Sequence, residues 1–206
     1  MNNKSDILTE RQRQTLKFIY QSIKYEGYPP TLADLKEKLD VVSNQAVLDL
    51  LKHLENKKYV KREEGTARAM IITQKGYNAL NVSHYAPMIG TTAAGPFMET
   101  LEQYGEWKEI SSELSRLSDK INLFKIKGDS MTGAGIQDGD IVVIKEVVEF
   151  KNGDIVLARD RDGTTIKRFV NTNKKVYLSP ENPKYSRLPI TSETRILGKV
   201  IAKLEL

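Results

Sequence analysis

The chain has 206 residues, 39% of them apolar and 29% charged, which suits two small globular domains and excludes wholesale disorder. It has no cysteine, so disulfides, thiolate catalysis and cysteine zinc sites are all excluded. No apolar run approaches the roughly 20 residues needed to cross a bilayer. Met1–Asp6 are polar and lead straight into a helical pattern, so the expectation is a cytoplasmic protein with no membrane partner. The net charge of +5 is unevenly spread. Residues 1–80 hold 14 Lys and Arg against 10 Asp and Glu, the remainder 18 against 17. The basic excess therefore directs the search for a nucleic-acid motif to the N-terminal part.

In chain order, Thr9 and Gln12 form a capping box ahead of an apolar stripe at Leu16, Ile19, Tyr20 and Ile23. Gly27 ends that helix and Pro29-Pro30 prevents its resumption. Thr31 caps a second, shorter helix with Leu32, Leu35 and Leu39 on its apolar side. After a break at Asp40–Val42, Ser43 caps a third, whose stripe is Ala46, Val47, Leu50, Leu51 and Leu54. Strand-like runs at Tyr59–Glu63 and Ala67–Thr73 flank a turn at Glu64-Gly65-Thr66. Three helices followed by a hairpin predict a winged helix-turn-helix over residues 1–80, a DNA-binding architecture. Residues 73–80 read as one or two further helical turns, and 81–87, without clear periodicity, as a linker.

Residues 88–206 differ in style. β-branched runs recur at Leu123–Ile126, Ile141–Ile144, Asp154–Ala158, Thr164–Val170, Lys175–Leu178 and Arg195–Leu204. Turn signals separate them, such as Gln137-Asp138-Gly139-Asp140 and Lys151-Asn152-Gly153-Asp154, and together they predict a compact, mostly β domain.

Three features of this second domain bear on chemistry. Gly128-Asp129-Ser130-Met131 follows a strand, where glycine permits a sharp turn that presents the serine. Lys167 lies inside the β-branched strand Thr164–Val170, on one face with Thr165 and Phe169, while Arg168 faces the other way. Thr92-Ala93-Ala94-Gly95 is a small-residue stretch near the domain's start. Taken singly these read as a turn serine, a solvated strand lysine and a flexible hinge.

Together they resemble the family of self-cleaving proteins that includes LexA, UmuD and the lambda repressor, in which a Ser-Lys dyad cuts an Ala-Gly bond of its own chain. The resemblance spans nearly the whole sequence. It includes Thr9-Glu10-Arg11-Gln12, Pro29-Pro30-Thr31 and Gly135-Ile136-Gln137-Asp138-Gly139-Asp140, as well as the order of scissile pair, serine and lysine. UmuD-like members lack the N-terminal part, so the LexA type is the nearer pattern. The implied fold class is multidomain α and β, a winged helix-turn-helix joined to a LexA/signal-peptidase-like autopeptidase domain. The resemblance implies Ser130 as nucleophile, Lys167 as general base, cleavage at Ala94–Gly95, and no metal or other cofactor. It also implies a homodimer on palindromic, double-stranded operator DNA, with an activated RecA filament favouring the cleaving conformation. Ile196–Ile201 resembles the family's dimerising strand region and reads equally as a core strand.

The chemistry is consistent with that assignment. A serine hydroxyl needs a base, and lysine serves only when neutral, so burial must lower its pKa. Backbone N–H groups at the serine turn are the expected oxyanion donors. Pro96 follows the Ala-Gly pair directly, one residue earlier than relatives usually place a proline. In the third helix Ser43, Asn44, Gln45, Ala46, Val47, Asp49 and Lys52 are the expected DNA-contacting residues, Asn and Gln being suited to adenine. Lys57, Lys58, Lys61, Arg62 and Arg68 are further candidates for phosphate contacts. Asn44 stands where the family usually has proline, and Leu48-Asp49 replace an acidic pair, so the operator is expected to differ from the best-known one. Other readings stay open: a non-cleaving or phage or mobile-element repressor of this fold released by an antagonist protein, and a peptidase acting on other proteins.

Overall fold

The computed structural model describes residues 7–62, 70–89, 106–117, 121–161, 163–172 and 175–204. They form two compact units: one comprises the described residues up to Ala86 together with 106–117, the other 87–89 and 121–204.

The first unit opens with three helices: α1 (Glu10–Glu26), α2 (Leu32–Lys38) and α3 (Asn44–Asn56). Each begins where a side chain satisfies free backbone N–H groups. Thr9 accepts from the Gln12 amide while Gln12 accepts from the Thr9 amide. Thr31 and Asp34 repeat the arrangement, and Ser43 accepts from the Ala46 amide at 3.2 Å. Such caps are worth about 1 kcal/mol each. Gly27 ends α1 in the left-handed conformation, φ 84°. The stripes interlock: Leu16, Ile19 and Ile23 of α1, Leu35 of α2, and Val47, Leu51 and Leu54 of α3 are fully buried in one core. Behind α3, β1 (Val60–Arg62) pairs antiparallel with β2 (Met70–Ile72), Val60 opposite Ile72. The turn expected at 64–66 lies outside the described residues. Thr73 then caps α4 (Gln74–Leu80).

The segment 81–87 departs from a linker. A strand, β3, starts at His84 and runs to Ile89. Tyr85 sets its ring edge-on to Tyr20 of α1, 6.0 Å between centroids, and its carbonyl accepts from the Tyr77 hydroxyl at 3.2 Å. His84 is buried against the Tyr77 ring. Aromatic packing, rather than any apolar periodicity, holds this stretch. Two elements absent from the sequence reading, β4 (Trp107–Ile110) and α5 (Ser112–Leu117), also group with this unit, Trp107 joining its core.

The second unit is a sheet of short strands: β5 (Ile121–Lys125), β6 (Ile141–Lys145), β7 (Ile155–Asp160), β8 (Gly163–Thr172), β9 (Lys175–Ser179), β10 (Leu188–Pro189) and β11 (Arg195–Leu204). Their order, ending on the last residues of β3, is β10-β9-β8-β7-β11-β6-β5-β3. β7, β8 and β9 form a meander, with Val156 opposite Lys167 and Phe169 opposite Leu178. β11 lies between β7 and β6, with register shifts next to Gly198 and after Val200. At Gly198 a Cβ would stand 2.7 Å from the Lys145 carbonyl oxygen, which explains a glycine inside a central strand. Ile196–Ile201 thus lies in a central strand of the sheet, and most of its residues are only half-buried.

Candidate functional site

β5 ends at Lys125, and the chain then turns through Ile126–Met131 into a single 3-10 turn at Thr132–Ala134. Gly128, at φ 95°, supplies the left-handed residue that the turn requires, and its N–H donates to Asp138 Oδ1 at 2.6 Å. Hydrogen bonds between Ile126 and Gly139–Asp140 close the base of this loop, a role for the Asp138-Gly139-Asp140 turn that follows the serine. Ser130 is presented half-exposed at the loop's end, while Met131 behind it is buried.

Lys167 comes from the middle of β8, where β7 covers it on one side and β9 extends the sheet on the other. It is only 6% exposed. Its Nζ lies 2.8 Å from Ser130 Oγ, 2.7 Å from Thr165 Oγ1 and 3.0 Å from the Ile166 carbonyl oxygen. No ion pair with a carboxylate accompanies it among the described residues. Burial, with no compensating anion, draws its pKa below the ordinary lysine value. The three neighbours suit the neutral amine. Its two N–H groups can donate to Thr165 Oγ1 and the Ile166 carbonyl, leaving the lone pair for the Ser130 hydroxyl proton. Thr165 escaped the sequence reading as a site residue, though its period-two spacing from Lys167 had set the two on one face.

Ser130 lies on the wall of a cleft of about 310 Å³ that is lined also by Phe124, Ile126, Lys127, Met131, Thr164 and Thr165, among others. Apolar side chains at Phe124, Ile126 and Met131, set among polar groups at Lys127, Thr164 and Thr165, suit an extended peptide whose backbone needs hydrogen bonds and whose side chains are small. No histidine lines it. Ala94 and Gly95, the expected scissile pair, lie outside the described residues.

The second candidate site is the outer face of α3. Ser43, Asn44, Gln45, Asp49 and Lys52 are exposed there, as is His53. Gln45 donates to Asp49 Oδ1 at 2.9 Å, one helical turn away. Ala46 is half-buried. Val47 is a correction: it is fully buried among the α1 and α2 side chains and presents nothing to an outside partner. Its place in the apolar stripe outweighs its position two residues after Gln45. Among the expected phosphate contacts, Lys52, Lys58 and Lys61 are exposed, and Arg68 lies outside the described residues. Lys57 instead donates to the Ile7 carbonyl and to Gln12 Oε1, tying the end of α3 to the start of α1. Val42, in the turn before α3, is 95% exposed and escaped the sequence reading.

Helix α3, reached by a left-handed Asp40 at φ 48°, with the β1–β2 hairpin behind it, is the arrangement of a winged helix-turn-helix. No helix of the described residues is long and apolar enough to cross a membrane.

Comparison with known proteins agrees with both halves. The LexA DNA binding domain family matches residues 5–69, and the Peptidase S24-like family matches residues 87–201. A LexA repressor of Oleidesulfovibrio alaskensis is 35% identical over 204 residues, covering 98% of this chain and 97% of that one. A LexA repressor of Geobacillus sp. (strain WCH70) is 34% identical over 198 residues, 94% of this chain and 95% of its own. One from Lactiplantibacillus plantarum is 32% identical, over 93% and 92%. With similarity spanning both units, the chain belongs to the LexA repressor family, its N-terminal part a LexA DNA-binding domain and its C-terminal part a Peptidase S24-like domain.

Proposed function

We propose that this protein is a transcriptional repressor of DNA-damage (SOS) response genes that binds operator DNA through α3 and the hairpin behind it and inactivates itself by cutting the Ala94–Gly95 bond. The observation that carries the reading is the 2.8 Å approach to Ser130 Oγ of a buried Lys167 Nζ that has no carboxylate partner among the described residues. That approach has no evident purpose in a protein that only binds DNA.

In the reaction, neutral Lys167 accepts the Ser130 hydroxyl proton as Oγ bonds to the Ala94 carbonyl carbon. The Gly128 N–H is committed to Asp138, so the oxyanion is assigned to the N–H groups of Ser130 and Met131. The tetrahedral species collapses with cleavage of the Ala94–Gly95 C–N bond, and the Lys167 ammonium returns its proton to the departing Gly95 amine. Water, deprotonated in turn by Lys167, then adds to the Ser130 ester; its Oγ–C bond breaks, Lys167 returns the proton to Ser130 Oγ, and Ala94 is left as a free carboxylate. Repression needs the cut to be rare, so the cleaving conformation is the minor one. An activator must bind it better than the major one, and the activated RecA filament is assigned that role. A two-fold dimer on a palindromic operator completes the reading. The protein is placed in the cytoplasm, where its DNA lies.

The test is mass spectrometry of the purified protein held at pH 7 and at about pH 10, where lysine deprotonates without an activator. Fragments 1–94 and 95–206 that grow with pH, and that Ser130→Ala and Lys167→Ala both lack, are expected. An intact chain at both pH values, still intact with activated RecA filament, would overturn the autopeptidase reading and leave a DNA-binding repressor.

A further inference from the structure

The turn 181–185, between β9 and β10, is joined to the serine loop by bonds that the dyad itself does not require. The Glu181 N–H donates to the Ser130 carbonyl at 2.9 Å, and the Glu181 carbonyl accepts from the Gly133 N–H at 2.8 Å. Gly133 comes so close that a Cβ there would stand 2.3 Å from the Glu181 carbonyl oxygen. Asn182, buried, donates through Nδ2 to the Asp129 carbonyl at 3.0 Å and to Asp129 Oδ2 at 3.1 Å. Its own Oδ1 accepts from the Lys184 N–H at 3.1 Å, which fixes the amide's orientation. The Tyr185 hydroxyl donates to the other Asp129 oxygen and holds that carboxyl below its ordinary pKa.

The same turn also reaches the strand that carries the base. Arg168, next to Lys167 and facing the opposite way, sets Nε 2.5 Å from Glu181 Oε1 and Nη1 2.7 Å from the Gly153 carbonyl oxygen. One residue, Glu181, thus holds the backbone of the nucleophile's loop and a side chain of the base's strand.

We infer that the turn Glu181–Tyr185 is a clasp that sets Ser130 Oγ against Lys167 Nζ, with Asn182 its principal positioning residue. The inference rests on the self-cleavage reading above. Ser130 sits on a loop whose other end is fixed by bonds of Gly128 to Asp138 and of Ile126 to Gly139 and Asp140, none of which touches Ser130 itself. Asn182 grips the residue immediately before the nucleophile at two points, and Glu181 grips the nucleophile's own carbonyl. Loss of that grip changes the oxygen-to-nitrogen distance without altering the burial of Lys167. A misplacement of about 1 Å costs up to about a hundredfold in rate.

The experiment follows self-cleavage of the full chain from about pH 7 to about pH 11, a range that spans lysine deprotonation, with thermal unfolding measured alongside. Asn182→Ala is expected to lower the high-pH plateau rate about 10- to 100-fold, leaving the pH midpoint in place because Lys167 stays buried. Tyr185→Phe, at an exposed ring, lowers the plateau by less and keeps the protein folded. Asn182→Asp, which sets two carboxylates together, loses at least as much as Asn182→Ala. Adding Asp129→Asn restores part of that rate, because the new amide can donate to the new carboxylate. Plateau rates equal to that of the unaltered protein would overturn the clasp alone. So would a midpoint shift at constant plateau, or a rate loss matched by an equal loss of folded protein. Absence of cleavage in the unaltered protein would overturn the self-cleavage reading and the clasp with it.

Discussion

The serine–lysine cleft and the outer face of α3 are built by opposite means. Lys167 is defined by what surrounds it: two hydroxyls and a carbonyl within 3.0 Å, strands on either side and almost no water. Gln45, Asp49 and Lys52 are defined by what does not surround them, since α3 turns its core stripe of Val47, Leu51 and Leu54 inward and leaves them outside. A site that performs chemistry must change the properties of its groups, and burial does that. A site that reads another macromolecule must keep its donors and acceptors available until the partner arrives. The two therefore respond differently to mutation.

The largest expected contrast comes from the dyad. Removing either Ser130 or Lys167 should cost about a thousandfold or more in self-cleavage, while operator affinity measured by fluorescence anisotropy stays within about twofold. Equal damage to both activities would break the separation. In the reverse direction, Gln45→Ala should weaken operator binding by about 1–3 kcal/mol and leave the cleavage rate unchanged. The smallest effect belongs to Lys52→Ala, which should weaken binding to all sequences alike and reduce the salt slope by about 1. Sequence-dependent loss at Lys52 would instead make it a reader of base edges.

The two sites were also unequally legible in the sequence. Capping residues Thr9, Thr31 and Ser43, with the stripes that follow them, specify the three helices almost by themselves, because each signal is local. β11 was legible over its full length, Arg195–Leu204, from its β-branched run. Ser130 and Lys167 were singled out by their settings and by the family resemblance, whereas the 2.8 Å between them is given by the fold alone. The clasp was not: Asp129 and Asn182 are 53 residues apart, and no spacing rule connects a turn asparagine to a loop aspartate. Nor was β3, whose hold on α1 depends on aromatic edges and not on alternation. Val47 shows a different limit. Positions two apart on a helix point about 200° apart, so nearness to Gln45 in sequence does not put Val47 on the same face.

The central claim is that Lys167 is neutral when it meets Ser130, and the most direct measurement is a titration of that amine by heteronuclear NMR in the Ser130→Ala protein, which cannot cut itself. Burial disfavours the ammonium, so the neutral form should appear at lower pH than in an ordinary lysine, and self-cleavage should rise through the same pH in the unaltered chain. A Lys167 midpoint well below the ordinary lysine value and coincident with the cleavage midpoint is the predicted result. A midpoint at the ordinary value, with cleavage already fully active below it, would mean that another group takes the serine proton, and would contradict the account.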